Sequence, residues 1–187
     1  MLSRTEDEHE KFEIRKNRLF GIELQDYMFT IATTNMILRG DGKSNLENQD
    51  FLAQNPSQIQ LKGCTVGMMN PPYSQGSKQN TDLYEINFVN HLLESLVEGA
   101  KAAVIVPQST FTGKTKEEQN IKNIILKNHT LEGVITLNKN TFYGVGTNPC
   151  IGIFTVGIPH SKTKKAKFIN FENDGYIVSK HIGLIDD

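Results

Sequence analysis

The alternation of apolar and polar stretches along the chain predicts an α/β protein. Short apolar runs bounded by turn residues indicate strands, and longer stretches with apolar residues at helical spacing indicate helices between them. Buried strands flanked by helices are typical of a parallel sheet. The predicted strands are Leu19–Glu23, Asn45–Leu52, Cys64–Asn70, Ala102–Pro107, Leu131–Leu137, Pro149–Gly157 and, more weakly, Lys167–Phe171.

The segment between the two long strands near the C-terminus is too short to hold a crossover helix. Leu131–Leu137 and Pro149–Gly157 are therefore predicted to form an antiparallel hairpin. Helices are predicted from Leu24 to Gly40, from Asp82 with its capping signal at Glu85, and from the capping box that begins at Thr115. His129, near the end of this last helix, is expected to complement the helix dipole.

Length and composition fit a globular protein with its own core. The chain has 187 residues, of which 37% are hydrophobic and 22% are charged. We expect three segments: a charged helical lead-in at 1–18, an α/β body at 19–171 and a C-terminal tail at 172–187. No apolar run approaches the roughly 18–20 residues that span a bilayer, and the charged N-terminus does not resemble a secretory signal.

Cysteine usage and net charge limit the classes of function. Cys64 and Cys150 lack the spacing of a metal or redox motif, so we expect buried free thiols in a cytoplasmic protein and no metal site. The formal net charge is −1, which gives no general attraction to nucleic acid. A DNA contact would need a local patch or a partner. The basic run at 162–167 is one candidate, although a solvated hairpin turn is the favoured explanation of it.

One short stretch carries the most chemical information. The apolar run Val66–Met69 stops at Asn70, Pro71, Pro72 and Tyr73. Proline has no N–H and fixes φ, so the strand must end here. The residue before a proline is driven to extended geometry, which places Asn70 at the carboxyl end of the strand. Open α/β sheets bind ligands at that edge.

An asparagine at such a corner suits the methylation of an amino group. The amide oxygen of Asn70 and a backbone carbonyl at Asn70 or Pro71 can accept both hydrogens of an exocyclic amino group. The nitrogen lone pair then stays available for attack on a methyl group. Tyr73 offers a flat face for a flipped base, worth about 1–3 kcal/mol per base. The alternative is a plain Pro-Pro turn with a tyrosine in the core.

The Asn70–Tyr73 tetrapeptide resembles the catalytic motif of N6-adenine DNA methyltransferases. With its flanks, from about Arg18 to Val156, the chain resembles the modification subunit of type I restriction–modification systems. The resemblance implies a Rossmann-like, S-adenosylmethionine-dependent methyltransferase sheet with a C-terminal antiparallel hairpin. It also implies DNA as substrate, with specificity and restriction subunits as partners. Direct transfer to nitrogen needs no cysteine nucleophile, unlike methylation of a cytosine ring carbon.

Three residues of the first third are expected to hold the cofactor. In the resembling family, an acid at the position of Glu23 binds the ribose of S-adenosyl-L-methionine, and an acid followed by an apolar residue stands at Asp50 and Phe51. Asp50 would accept the adenine amino group and Phe51 would pack on the ring. The alternatives are a helix N-terminal acid at Glu23 and a turn aspartate at Asp50.

The Gly-rich loop at 138–148 carries two aromatic residues that no core argument requires. Phe142 matches the aromatic residue that packs against the flipped base in the resembling family, and Tyr143 is the second choice.

The Gly-rich turn that follows the first strand of such a domain has no counterpart here. In the family this turn resembles Asp-Pro-x-Cys-Gly-x-Gly, and no glycine precedes Gly21 in the chain. The chain is therefore interpreted as a family fragment without its first strand. Either the neighbouring strands close up, or a partner chain fills the gap, or the sheet is split. We expect weak or absent cofactor binding and no activity from this polypeptide alone.

Two other functions remain open at this point. The chain could be a non-catalytic docking module of a restriction–modification complex. It could also be a methyltransferase that acts on a protein glutamine or on an RNA amino group, since both present a similar nitrogen. The aromatic loop and the type I-like flanks favour DNA.

Overall fold

The computed structural model describes residues 5–40, 45–142, 146–179 and 183–186. The chain divides into two compact units, Met1–Asn55 and Pro56–Asp187. Within the described residues, no helix has the length and apolar character needed to cross a membrane.

The first unit combines two helices with two very short parallel strands. Its elements are α1 (Glu8–Asn17), β1 (Gly21–Ile22), α2 (Asp26–Leu38) and β2 (Leu46–Glu47). Helix α2 ends where the sequence predicts, because Gly40 adopts a φ of +72° that breaks the helical path. The helix predicted in the charged lead-in is confirmed as α1, and the two predicted strands are shorter than expected.

The second unit is built on a five-stranded mixed sheet in the order β3-β4-β6-β5-β7. Strand β3 is parallel to β4, β7 is parallel to β5, and β6 runs antiparallel to β4 and β5, between which it lies. The predicted antiparallel hairpin is thus confirmed. The strands are β3 (Val66–Met69), β4 (Lys101–Pro107), β5 (Thr130–Leu137), β6 (Pro149–Thr155) and β7 (Lys167–Phe171).

The helices of this unit cover the sheet and form its core. They are α3 (Pro56–Gln60), a single 3₁₀ turn (Thr81–Leu83), α4 (Glu85–Glu94), α5 (Gln108–Thr112) and α6 (Lys116–Asn128). Val89 and Leu93 of α4 and Val104 of β4 are 0% exposed. Gly67 allows the segment after α4 to approach β3 closely, because a Cβ there would lie 2.6 Å from the Leu96 side chain.

The C-terminal segment contains a strand pair that the apolar pattern did not predict. Strands β8 (Tyr176–Ser179) and β9 (Gly183–Asp186) form an antiparallel two-stranded sheet. The tail at 172–187 therefore has regular structure of its own.

Two helix starts were predicted from capping signals, and one of them is wrong. The capping box at Thr115 is confirmed, because its hydroxyl accepts from the Glu118 N–H and the Glu118 carboxylate accepts from the Thr115 N–H. Asp82, however, lies in the 3₁₀ turn and does not cap a helix. Helix α4 begins three residues later, at Glu85, with no side-chain cap.

The prediction for His129 is also wrong. His129 is only 5% exposed, and its Nδ1 accepts a hydrogen bond from the Gly157 N–H at 3.0 Å. Burial lowers the pKa of the imidazole. A neutral, buried histidine fixes a turn after β6 and does not serve as the cation that would complement the α6 dipole.

The expectation of free thiols is confirmed, with a difference in burial. Cys64 and Cys150 are both free, but only Cys150 is buried, whereas Cys64 is half-buried. Burial raises the pKa of the Cys150 thiol to about 11. Cys150 is therefore protonated and unreactive at neutral pH.

Three outcomes were expected for a chain without its first strand, and the structure shows the last of them, a split sheet. Strands β1 and β2 form a separate two-stranded sheet, and β3 is an edge strand of the five-stranded sheet. Val66 and Met68 on this edge strand are 61% and 81% exposed. In the described part of the chain, β3 has a strand neighbour on one side only.

Candidate active site

The Asn70–Tyr73 corner begins directly after β3, as predicted. Met69, the last residue of β3, pairs with Val104 of the parallel strand β4, so the corner lies at the carboxyl edge of the sheet. Asn70 is exposed and Pro71 is buried. The Asn70 side chain makes no hydrogen bond to any described residue. Its amide is therefore available to a ligand while the following proline is fixed in the protein.

Tyr73 is anchored to the sheet through its hydroxyl group. The ring is half-buried, and the Oη atom donates a hydrogen bond to the Ile105 carbonyl of β4 at 3.3 Å. Burial raises the pKa of Tyr73 to about 12, with smaller contributions from the nearby Cys150 and Glu85. The hydroxyl group is therefore neutral at physiological pH and acts as a donor.

Phe142 lies against Tyr73, although the two residues belong to distant parts of the chain. Their ring centroids are 6.0 Å apart and the rings meet edge to face at 75°, a favoured geometry for aromatic pairs. The structure thus brings together the two aromatic residues that the sequence suggested for base contact. Tyr143, the second choice in that loop, lies outside the described residues.

The segment after Tyr73 is held by the start of α4. Ser74 adopts a φ of +58°, and its N–H donates to the Glu85 carboxylate at 2.7 Å. Gly76 packs against Tyr84 so closely that a Cβ would lie 2.8 Å from the Tyr84 backbone nitrogen. The contact between Glu85 and Ser74 could not be predicted from the sequence, because an acid three residues after an aspartate has the appearance of an ordinary helix start.

The residues expected at the cofactor lie in the first unit, at one edge of its small sheet. Glu23 follows β1 and Asp50 follows β2. Because these strands are parallel, both acids stand at carboxyl ends. The Glu23 N–H donates to the Glu47 carbonyl, and the Glu23 carbonyl accepts from the Gln49 N–H, which ties the two segments together. This is the edge at which open α/β sheets bind ligands.

Each of these carboxylates also has a local structural role. Glu23 Oε1 accepts from the Gln25 N–H at 2.8 Å and Asp50 Oδ1 accepts from the Leu52 N–H at 2.9 Å. Phe51, which follows Asp50 in sequence, is half-buried. A carboxylate has about four acceptor positions, so both acids keep capacity for ribose or amino hydrogens. These acceptors suit the hydroxyl and amino hydrogens of the nucleoside half of S-adenosylmethionine. The Gly-rich turn that the family places at the other half has no counterpart among these 187 residues.

Neither the basic run at 162–167 nor a cluster of metal-ligating side chains adds a ligand-binding group to this site in the described part of the chain. Lys164 forms an ion pair with Glu132 at 2.6 Å. Hydrogen bonds from Lys164 and from the Thr155 hydroxyl lower the pKa of Glu132 to about 2. Part of the run is therefore bound to the protein itself. In the described ranges, no group of three His, Cys, Asp or Glu side chains could hold a metal ion.

These features define the class of protein. A parallel αβ arrangement with one antiparallel strand inserted near its end is the fold of S-adenosylmethionine-dependent methyltransferases, and solved structures share it. A methyltransferase subunit of a type I restriction–modification system from Streptococcus thermophilus superposes with a TM-score of 0.69 at 22% identity. That match covers 91% of this chain and 39% of the subunit.

The chain belongs to the N-6 DNA Methylase family, whose sequence profile matches residues 1–184. It is 52% identical to the type II restriction enzyme and methyltransferase RM.BcgI of Heyndrickxia coagulans, over all of this chain and 30% of that protein. It is also 23% identical to the type I restriction enzyme EcoEI methylase subunit of Escherichia coli, over 90% of this chain and 39% of the subunit. The chain thus spans roughly a third of the length of the relatives it matches.

Proposed function

We propose that the chain is the catalytic-domain portion of a DNA adenine-N6 methyltransferase from a restriction–modification system. It would transfer a methyl group from S-adenosylmethionine to the amino group of a flipped adenine. The observation that carries this proposal is the corner itself. An exposed asparagine amide follows a strand at the carboxyl edge of the sheet, beside a pair of aromatic rings.

In this proposal the corner binds and orients the adenine amino group. Asn70 Oδ1 and a backbone carbonyl at Asn70 or Pro71 accept the two N6 hydrogens, and Pro72 keeps the chain stiff behind them. With both hydrogens held, the N6 lone pair would be free to take the methyl group that S-adenosylmethionine would supply, and one N6 proton would then leave to solvent. Two fixed acceptors favour this path because they stabilise the positive charge that develops on N6.

The aromatic pair supplies the surface for the flipped base. Tyr73 is kept in place by its hydrogen bond to Ile105, and Phe142 meets its ring edge to face. A purine stacked on one of these rings gains about 1–3 kcal/mol, which offsets part of the cost of leaving the duplex. Tyr143 is proposed as a further base contact from the same loop.

Glu23, Asp50 and Phe51 are proposed to hold the nucleoside half of S-adenosylmethionine, which supplies an electrophilic methyl group when bound. The carboxylates would accept hydrogen bonds from the ribose hydroxyls and the adenine amino group, and Phe51 would cover the ring. Since these 187 residues contain no Gly-rich turn ahead of β1, we propose that this polypeptide alone binds the cofactor weakly and is inactive.

Partners follow from the relatives, and they belong to this proposal. RM.BcgI is named as a restriction enzyme and methyltransferase, and the Streptococcus thermophilus neighbour as a subunit of a type I system. We propose that specificity and restriction functions accompany this chain, as type I subunits or on one polypeptide, and that they supply DNA sequence recognition. We also propose self-association through the exposed edge of β3, which size-exclusion chromatography tests directly.

A chimera tests the proposed function without depending on the isolated chain. In this RM.BcgI chimera, the region of RM.BcgI that matches the chain is replaced by the chain itself. We expect the chimera to methylate adenine in DNA. The Asn70→Ala variant should lower kcat by about 100-fold or more, whereas Asn120→Ala, at an exposed position of α6, should leave kcat unchanged.

Calorimetric titration with S-adenosylmethionine separates the possibilities for the isolated chain. Binding by the chimera and not by the 187-residue chain would agree with the proposal. Tight binding by the short chain would contradict its weak-binding part. An inactive chimera that still assembles with partner subunits would favour the docking-module function. The observation that supports a docking function is the exposure of the apolar side chains of β3.

A further inference from the structure

The backbone just after the tetrapeptide is held in an uncommon conformation by a single side chain. Ser74 is the only described non-glycine residue with positive φ, at +58°. Left-handed geometry is unfavourable for a residue with a Cβ and persists when its surroundings fix it. The Ser74 N–H donates a hydrogen bond to Glu85 Oε1, at 2.7 Å.

The residue that makes this contact is itself firmly anchored. Glu85 is the first residue of α4, and the next turn of that helix is packed into the core. Ile86 is 2% exposed, and Val89 and Leu93 are 0% exposed. The start of α4 is therefore a fixed point relative to the sheet. A second contact reinforces it, since Gly76 approaches the backbone of Tyr84 too closely for any side chain.

The Asn70–Tyr73 corner is short, so holding the backbone at Ser74, directly after it, limits the conformational freedom of the whole corner. Pro71 and Pro72 already restrict φ at their own positions, and the Tyr73 ring is attached to β4 through Ile105. The rotation that remains lies mainly at Tyr73 and Ser74. A hydrogen bond at the Ser74 N–H removes that freedom and sets the direction in which the chain leaves the corner.

We propose that Glu85 is a positioning residue for the Asn70–Tyr73 corner, acting through the Ser74 backbone. Its carboxylate holds Ser74 in the left-handed conformation, which keeps Tyr73 against Phe142 and the Asn70 amide in a constant orientation. The structural part of this inference stands by itself. Its catalytic consequence rests on the proposed function.

A competing explanation is that Glu85 only stabilises α4 through the helix dipole, as an acid in the first turn does. Glu117 provides a matched control, because it is an exposed acid in the first turn of α6. Glu117→Ala removes the same charge from the same kind of position. Glu85→Gln separates the hydrogen bond from the charge, since the amide oxygen of glutamine can still accept from the Ser74 N–H.

The experiment has a structural arm on the 187-residue chain. Amide exchange at Ser74 and the side-chain amide resonances of Asn70 are followed by NMR in Glu85→Ala, Glu85→Gln and Glu117→Ala, with thermal unfolding recorded for each. We expect about tenfold faster exchange at Ser74 and shifted Asn70 signals in Glu85→Ala only. Should Glu85→Ala fail to fold, Glu85→Gln decides through the exchange rate at Ser74. A rate between those of the unaltered chain and a free amide is expected, because a neutral acceptor bonds more weakly than a carboxylate, and an unchanged rate would overturn the proposal.

The kinetic arm uses the RM.BcgI chimera with the same three changes. In Glu85→Ala we expect kcat to fall by up to about 100-fold, while KM for S-adenosylmethionine changes less than about twofold because the cofactor contacts are untouched. Glu85→Gln should recover most of the rate. An unchanged kcat in Glu85→Ala, or equal losses in Glu85→Ala and Glu117→Ala, would overturn the proposal.

The two arms distinguish a failure of this inference from a failure of the proposed function. If the unaltered chimera does not methylate DNA, the proposed function fails, and the NMR arm still decides whether Glu85 fixes the corner. If the chimera is active and the Asn70 signals are the same in Glu85→Ala as in Glu117→Ala, the proposed function stands and the positioning role is refuted.

Discussion

Replacing Phe142 by alanine tests whether the two aromatic rings act together on one base. The rings of Tyr73 and Phe142 are 6.0 Å apart in an edge-to-face contact, a geometry worth about 0.5–1.5 kcal/mol. Phe142 is only half-buried, so its removal should cost the protein about this much stability and less than the loss of a core phenylalanine. Losing its contact with a flipped base should cost a further 1–3 kcal/mol or so.

These magnitudes convert into a measurable change in rate. Since about 1.4 kcal/mol corresponds to a factor of ten, Phe142→Ala should lower kcat/KM for DNA in the RM.BcgI chimera by about 5- to 150-fold. Affinity for S-adenosylmethionine should not change. Phe168→Ala is the control, because Phe168 is an aromatic residue of β7 that is 76% exposed.

A double-mutant cycle with Tyr73→Ala supplies the decisive comparison. Contacting residues that serve one function give non-additive effects, so the double variant should lose less than the sum of the two single losses. Fluorescence of 2-aminopurine at the target base reports stacking independently of turnover. Additivity within about 0.3 kcal/mol, or a loss below twofold in Phe142→Ala, would refute the idea of a joint base-binding surface.

Three further predictions concern stability. His129 has a lowered pKa because it is buried, so the unfolded chain binds the proton more readily, and stability should fall as the pH drops below about 6.5. His129→Gln should flatten this pH dependence in urea unfolding at pH 7.5 and 5.5. Glu132 has its pKa lowered to about 2, first by the hydrogen bond from Lys164. Its contribution should be complete above about pH 4.5 and lost as the pH falls towards 2. Solvent screening keeps it small, and Glu132→Gln should abolish it in acid titrations followed by circular dichroism. Leu93→Ala should cost about 2–5 kcal/mol in chemical unfolding, because Leu93 is fully buried.

The position of the corner could be predicted because its cause is local. Two prolines after an apolar run must end a strand, whatever surrounds them, and β3 does end at Met69. The same reasoning holds for Thr115, where the capping box depends on residues three positions apart and appears as predicted. Local signals of this kind need no knowledge of the tertiary structure.

The residues that support the corner could not be predicted for the opposite reason. Asp82 and Glu85 have the spacing of a capping box, but the Glu85 carboxylate binds Ser74 instead. The choice between these two partners depends on how α4 packs against β3. The contact between Tyr73 and Phe142 likewise depends on the strand order, and the burial of His129 on the turn that follows β6. A single sequence contains no direct record of such distant pairings.

The place of β6 between β4 and β5 sets an order of events during synthesis. Chains emerge from the ribosome at about 5–20 residues per second and pair as partners become available. Strand β4 can pair with β3 early, but β5 has no place beside β4 until β6 has been made. The loop that carries Phe142 leads into β6, so we expect Phe142 to reach Tyr73 only when β6 has paired with β4 and β5. A nascent chain that ends before Pro149 therefore contains the whole tetrapeptide and Phe142, yet cannot hold them together as a site.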